Sequence, residues 1–513
     1  MNHGTAGYAS HSKLVFGWSP DGGGPQPATD GPLELADAGR LIRRAVRSVV
    51  RSARAGEAPN LRSLLAAHLS TGLDELAIVS STWPSYEHVN VQAGIDAWLS
   101  AGHSYELVGI AGYQHHEFGL AELISGAVGL EMFGVRPGNV ARADLPAGPS
   151  GLTRPCVQCG LYLVEEGERR TALLFRGPEP NSMHQNVTLQ VVSDAPEHAA
   201  QVMAHVRQLA LEENVFRGHV LSFEGDLFGG GGTLLTFHER PHLTPDQVIL
   251  PAATLEAIER QVLGVALHRE RLLSAGQHLK RGLLLYGPPG VGKTHTLRYL
   301  IGKLIGVTVV ELTGSSLHLI SEACSVARSL QPAVVVVEDV DLIAEDRGEF
   351  PGQHPLLFQL LNEMDGLAED ADVVFLLTTN RADLLEPALA ARPGRVDQAV
   401  ELALPDADGR RALFSLYSRE LDVDTSRLDD LVASTDGVTA SFLKEMIRRA
   451  CVFAAEADPS APSLRVGTEH LEAALAELLD TRNAMTRVLL GGVPNASESS
   501  TWPGTEPRGE VPG

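Results

Sequence analysis

At 513 residues the chain is too long for one ordinary core, so about three domains are expected. Acidic residues outnumber basic ones by 64 to 41, a net charge of −23, and sequence-independent grip on nucleic acid, which rests on neutralising phosphates, is a poor fit. Four cysteines fit a reducing compartment, and the absence of an apolar run long enough to span a bilayer leads to the expectation of a soluble, cytoplasmic chain without a membrane span.

Residues 1–32 are rich in Gly, Pro and Ser and are expected to be flexible. A helical segment follows at 33–69. Arg43, Arg44, Arg47, Arg51 and Arg54 read as the solvated face of a helix that carries Leu41, Ile42, Val46, Val49 and Val50 on its other side. From 70 to 240 the pattern alternates as in an α+β domain. Glu75–Ser80 reads as a strand, and Val91, Ile95, Trp98 and Leu99 mark a helix over Val89–Ser100. Gly160–Val164 and Thr171–Phe175 read as a hairpin, and Val187–Val192 as another strand. Asp194 with Glu197 reads as a capping box for a helix reaching Glu213.

No motif in this stretch carries chemistry. Cys156 and Cys159 have the spacing of half a zinc site, but no second pair lies near; with Cys324 and Cys451 they read as buried or spare thiols. His115-His116-Glu117 falls short of H-E-x-x-H, and Gly229–Gly232 has no Lys-Ser/Thr after it, which leaves a flexible loop.

Beyond Pro241 strand–helix units repeat to about 404, the pattern of a parallel sheet wound by helices. Within them Gly282–Tyr286 reads as a strand, followed by Gly287-Pro288-Pro289-Gly290-Val291-Gly292-Lys293-Thr294 and, from His295, a helix. These residues fit G-x-x-x-x-G-K-[ST], and Gly287 through His295 is the candidate nucleotide-binding stretch. Glycines let backbone N–H groups approach phosphates, Lys293 reaches the β- and γ-phosphates, and Thr294 completes a Mg²⁺ shell. Ala333–Val337 reads as a buried strand ending in Glu338-Asp339-Val340-Asp341, where carboxylates can hold Mg²⁺ and the attacking water. Val373–Leu377 leads into Thr378-Thr379-Asn380, whose amide can orient that water. Arg392 and Arg395, around Pro393-Gly394, lie too far along the chain to reach their own nucleotide easily and suit a neighbouring subunit's. Residues 405–485 read as a helical lid and 486–513 as a disordered tail.

With these motifs in order, the span from about 245 to 480 resembles an AAA-type ATPase module of the AAA+ superfamily. The resemblance implies ATP and Mg²⁺ as cofactors and a ring, usually a hexamer, with sites at subunit interfaces. It implies that Lys293 binds phosphate, that Thr294 and Glu338 serve the metal and that Asp339 polarises water. Asn380 becomes sensor 1, Arg392 and Arg395 arginine fingers, and Gly437-Val438-Thr439-Ala440-Ser441 the start of the lid helix. The resemblance also implies that Val248, Ile249 and Leu250 flank the adenine.

Two departures qualify it. The acids stand as Glu338 then Asp339, the reverse of the usual order, a feature shared with the mitochondrial AAA proteins of respiratory complex III assembly. The segment from Gly314 to Ile320 is short and lacks the aromatic residue of peptide-threading relatives, which leaves His318 and Ile320 to line a pore. The expected function is ATP hydrolysis by a ring that remodels a protein partner chosen by the N-terminal domain. The alternative is a slow-turnover, ATP-gated scaffold or assembly switch.

Overall fold

The computed structural model describes residues 60–480 except 70–71, 74–75, 116, 127–133, 180–183, 225–233, 346–354, 369, 384–395 and 461–462. The expected flexible start, the 33–59 part of the helical segment, His116, the Gly229–Gly232 loop, Arg392, Arg395 and the tail lie outside the described residues.

The first sheet is antiparallel. Its strands are β1 (Ile78–Trp83), β2 (Ser104–Ala111), β3 (Arg136–Gly138), β4 (Ala141–Pro146), β5 (Thr153–Glu166), β6 (Arg169–Arg176) and β7 (Val187–Ser193), ordered β1-β7-β6-β5-β2-β3 with β4 also on β5. Helices cover both faces. Leu61, Leu65 and Leu69 of Leu61–Leu69 and Leu120, Leu123 and Ile124 of Leu120–Ser125 pack on one side. Val91, Ile95 and Trp98 of His88–Ser100 and Val202, Met203 and Val206 of Pro196–Glu212 pack on the other. The hairpin, the strand near 187 and the helix near 89 stand where the periodicity put them. Asp194 does not cap its helix: Ala195 is the N-cap, Pro196 occupies the first turn, and the Asp194 carboxylate accepts the Ser193 hydroxyl instead at 2.9 Å. Cys156 and Cys159 are both buried, and burial pushes each thiol up to about 12. They pack into different cores, Cys156 with residues of the second sheet and Cys159 beneath the helices Leu61–Leu69 and Leu120–Ser125.

The second sheet holds β8 (Val220–Glu224), β9 (Leu234–His238), β10 (Arg281–Tyr286), β11 (Thr308–Leu312), β12 (Ala333–Val337), β13 (Val373–Thr379) and β14 (Gln398–Glu401). Their order is β14-β10-β13-β12-β11-β8-β9. All adjacent pairs are parallel except β8 with β9. β12 is buried on both faces, as its four valines require; burying each side chain contributes about 1.5–3 kcal/mol.

The division expected near 240 does not coincide with the sheets. β8 and β9 lie before it in sequence yet extend the second sheet, β8 pairing with β11. Both sheets belong to one folded unit, and the β8–β9 hairpin joins them. Tyr86, before the helix His88–Ser100, meets Phe223 of β8 edge-on at 5.5 Å, and Asn90 Oδ1 accepts from the Val215 N–H at 2.9 Å. Arg240 then ties the hairpin's exit to the sheet, donating to the carbonyls of Ile301 (2.7 Å), Gly218 (2.9 Å) and Val307 (2.8 Å). The lid is helical as expected, with its core around Phe442, Leu443, Met446, Ile447 and Leu471.

The short segment after β11 forms a 3₁₀ turn over Gly314–Leu319. His318 is exposed, but Ile320 is fully buried, so Ile320 lines no pore: it is a core residue beneath the turn.

Candidate nucleotide-binding and hydrolysis site

The site lies at the carboxyl ends of β10, β12 and β13, where a parallel sheet collects loops. β10 runs into a loop whose glycines adopt backbone that L side chains avoid: φ is 144° at Gly287, 81° at Gly290 and 107° at Gly292. Gly287 has a second constraint. A Cβ there would stand 2.3 Å from the Leu402 carbonyl, because Leu402 N–H bonds to Tyr286 O at 2.8 Å. Gly292 opens the helix Lys293–Lys303, whose free N–H groups face the loop.

Lys293 is only 7% exposed. Its Nζ donates to Gly287 O (2.8 Å), Pro288 O (2.9 Å) and Asn380 Oδ1 (2.8 Å). Burial draws the ammonium below the usual lysine range, and the charges of Asp339 and Asp341 oppose that shift. A buried cation held on three neutral oxygens is one that an anionic ligand can recruit. Thr294 Oγ1 donates to Glu338 Oε2 at 2.6 Å, which sets a hydroxyl and a carboxylate side by side as hard oxygen donors. The cradle free of Cβ atoms, the buried Lys293 and this oxygen pair fit a nucleotide triphosphate with Mg²⁺.

Asp339 sits at φ 53°, one of two described non-glycine residues in the left-handed region. The Thr378 hydroxyl accepts from its N–H at 3.0 Å. In that conformation the carboxylate turns toward β13, where Asn380 Nδ2 donates to Asp339 Oδ1 at 3.2 Å. Asn380 therefore spans Lys293 and Asp339 with the two ends of one amide.

The expected lid helix begins as its motif implied. Thr439 caps Ala440–Ala457 by accepting from Phe442 N–H at 3.2 Å, and Ser441 N–H donates to Gly290 O at 3.0 Å. His295 bonds through Nε2 to the Gln247 carbonyl at 2.9 Å, fixing the strip that follows. Val248 and Leu250 of that strip pack on the sheet's core, and Ile249 packs on the lid's.

Side-chain hydrogen bonds thus join Lys293, Asn380 and Asp339 to one another and Thr294 to Glu338 at these strand ends. Two more acids belong there. Asp341, buried, accepts from the Thr379 hydroxyl at 2.8 Å and the Asn380 N–H at 3.2 Å. Its place two residues after the acid pair was the available signal. Glu311, near the end of β11, is partly buried, and burial followed by the Glu338 charge pushes its carboxyl up to about 6. Nothing local marks it, since a lone Glu in a strand reads as surface.

Among known proteins, residues 283–404 match the model of the family described as "ATPase family associated with various cellular activities (AAA)". The chain is similar to an ATP-dependent zinc metalloprotease FtsH 2 of Sphaerobacter thermophilus, 37% identical over 198 residues, 36% of this chain and 30% of that protein. It is similar to FtsH 3 of Symbiobacterium thermophilum, 29% identical over 286 residues, 52% of this chain and 42% of the relative. The 26S protease regulatory subunit 6A of Caenorhabditis elegans is 32% identical over 218 residues, 40% of this chain and 50% of that subunit. The chain spans about a third to a half of the length of the relatives it matches. The likeness to the complex III assembly group rests on the order of Glu338 and Asp339 and the short segment after β11 alone. The chain carries an AAA ATPase module with the family core at residues 283–404, an α/β fold preceded in sequence by the antiparallel first sheet.

Proposed function

We propose that this protein binds ATP with Mg²⁺ and hydrolyses it, working as a cytoplasmic homo-oligomeric ring, hexameric in the manner of its family, that remodels a protein partner taken up by the N-terminal sheet domain. The observation that carries the reading is Asn380, bridging the phosphate-binding Lys293 and the acid Asp339.

Bound Mg²⁺–ATP supplies the transferable γ-phosphoryl group and the cation that balances its charge. Lys293 exchanges its bonds to the Gly287 and Pro288 carbonyls for phosphate oxygens. Thr294 and Glu338, whose oxygens lie side by side, would hold the metal. Asp339 orients a water and accepts its proton, with Asn380 fixing the carboxylate's direction. The Ser441 N–H, bonded to Gly290 O, ties the lid helix to the loop. Arg392 and Arg395 would complete a neighbouring subunit's site.

A second reading, the slow-turnover scaffold, is favoured by one feature. The shorter acid stands at the water position, on left-handed backbone, and is already bonded to Asn380. Steady-state phosphate release measured across protein concentration separates the two. Hydrolysis by a ring predicts specific activity that rises as subunits assemble. Activity undiminished in a demonstrably monomeric sample removes the ring. No release at any concentration leaves the scaffold. Domain-level remodelling fits better than threading of an extended polypeptide, because Leu317, Leu319 and Ile320 are buried and His318 is the exposed apolar-flanked position of the turn.

A further inference from the structure

Asp341 is 9% exposed, in the first turn of the helix Val340–Glu345 that follows the acid pair. A single oxygen, Oδ1, accepts two hydrogen bonds from the end of β13: the Thr379 hydroxyl at 2.8 Å and the Asn380 backbone N–H at 3.2 Å. Thr379 Oγ1 itself accepts from the Arg381 N–H at 2.9 Å, so the hydroxyl is oriented from both sides. A buried carboxylate without donors is costly. Here the donors come from Thr379, the last residue of β13, and Asn380 just beyond it, and the acid is thereby tied to the backbone that carries the Asn380 amide.

That tie matters because the Asn380 side chain is exposed and its task is demanding. It presents Oδ1 to Lys293 Nζ and Nδ2 to Asp339 Oδ1 at once, which fixes both side-chain torsions only if the Cα is held. The Thr378 hydroxyl pins Asp339 from the same strand end. Asp341 thus closes a short circuit, from β13 to the turn after β12 and back, that sets the spacing of the two groups Asn380 bridges.

We propose that Asp341 is a positioning residue: through Thr379 and the Asn380 N–H it aims the Asn380 amide and so sets how strongly the site prefers ATP to ADP. The proposal rests on the reading above that Asn380 faces the γ-phosphate. It gives Asp341 no contact with nucleotide or metal.

The test is equilibrium titration of the full chain, with Mg²⁺, using a fluorescent non-hydrolysable ATP analogue and the matching ADP analogue. The readout is the ratio of the two affinities. Losing two bonds to a charged acceptor predicts that Asp341→Ala lowers this ratio about ten-fold. Asn380→Ala is expected to lower it at least as far, and the double variant no further than Asn380→Ala alone, since one residue acts through the other. Asp341→Asn, which keeps an oxygen acceptor, should restore most of the ratio. A merely structural role would instead shift the melting temperature and weaken both nucleotides equally. The proposal is overturned if Asp341→Ala keeps the parent ratio, if the losses multiply in the double variant, or if Asn380→Ala leaves the ratio unchanged. Should Asp341→Ala not fold, Thr379→Val decides: a several-fold fall is expected, and an unchanged ratio rejects the idea. This pattern in a chain that releases no phosphate would sink hydrolysis and leave Asp341 in its role.

Discussion

Asn380 and Asp339 face each other across the ends of two neighbouring strands, Nδ2 to Oδ1 at 3.2 Å, while the other end of the same amide accepts from Lys293 Nζ at 2.8 Å. One side chain thus couples Lys293, the cation proposed to bind phosphate, to Asp339, the acid proposed to act on water. The coupling requires Asp339 to adopt left-handed backbone, φ 53°.

Asp339→Asn isolates the carboxylate's chemistry from its geometry. Asparagine tolerates the left-handed region, so the backbone is expected to hold. Loss of a general base costs about 10²–10⁴ in rate. We expect nucleotide affinity near that of the parent and phosphate release lower by that factor; unchanged turnover rejects the role of Asp339. The same variant, used as bait with ATP present, would hold partners for identification.

Arg392→Ala or Arg395→Ala should leave ATP binding nearly intact. In related phosphoryl transfer such an arginine is worth about 10³–10⁵ in rate, roughly 4–7 kcal/mol of barrier. Mixing either variant with an Asp339→Asn chain offers a check. If the arginines act across an interface, mixed rings pair an intact acid with an intact arginine and regain part of the turnover.

Gly287→Ala puts a methyl group 2.3 Å from the Leu402 carbonyl on backbone at φ 144°. The loop or the β10–β14 end must shift. The strain is of order 1–3 kcal/mol, and the phosphate cradle is expected to lose affinity for ATP and ADP alike. Parent-like affinity for both would show that the loop gives way without cost.

Acid should weaken the N-terminal sheet domain through His88. The ring is 1% exposed; Nε2 donates to Val157 O at 2.8 Å, and Nδ1 has no hydrogen-bond partner. Protonation would place a buried charge where nothing accepts it, and burial lowers the folded pKa from 6.5 to about 4. The unfolded chain therefore binds a proton first. Stability is complete above pH 6.5 and falls as pH drops toward 4, by up to about 3 kcal/mol. Denaturant midpoints followed by tryptophan emission, with Trp98 in that core, should decline over this window; His88→Phe should flatten the decline.

Several features were legible because they are local. The glycine spacing of the loop, the apolar run Ala333–Val337 with its acids, and the period of His88–Ser100 are each written within about a dozen residues. Asp194 misled for an equally local reason. It has the right residue type for a cap, but its N–H bonds to Arg170 O at the end of the sheet, and Pro196 starts the helix two residues later. Ile320 misled because position in a motif does not reveal which side of a turn faces the core.

By itself the sequence determined a glycine-rich loop ending in Lys293-Thr294, an acid pair and a strand-end amide, since each depends on residue type and short spacing. Only the tertiary structure decided that β8 and β9 complete the AAA sheet, that Asp339 turns back toward Asn380, and that Asp341 anchors the strand end. Those facts rest on pairings between residues tens of positions apart, whose energy appears only when strands meet and their buried polar groups must find partners.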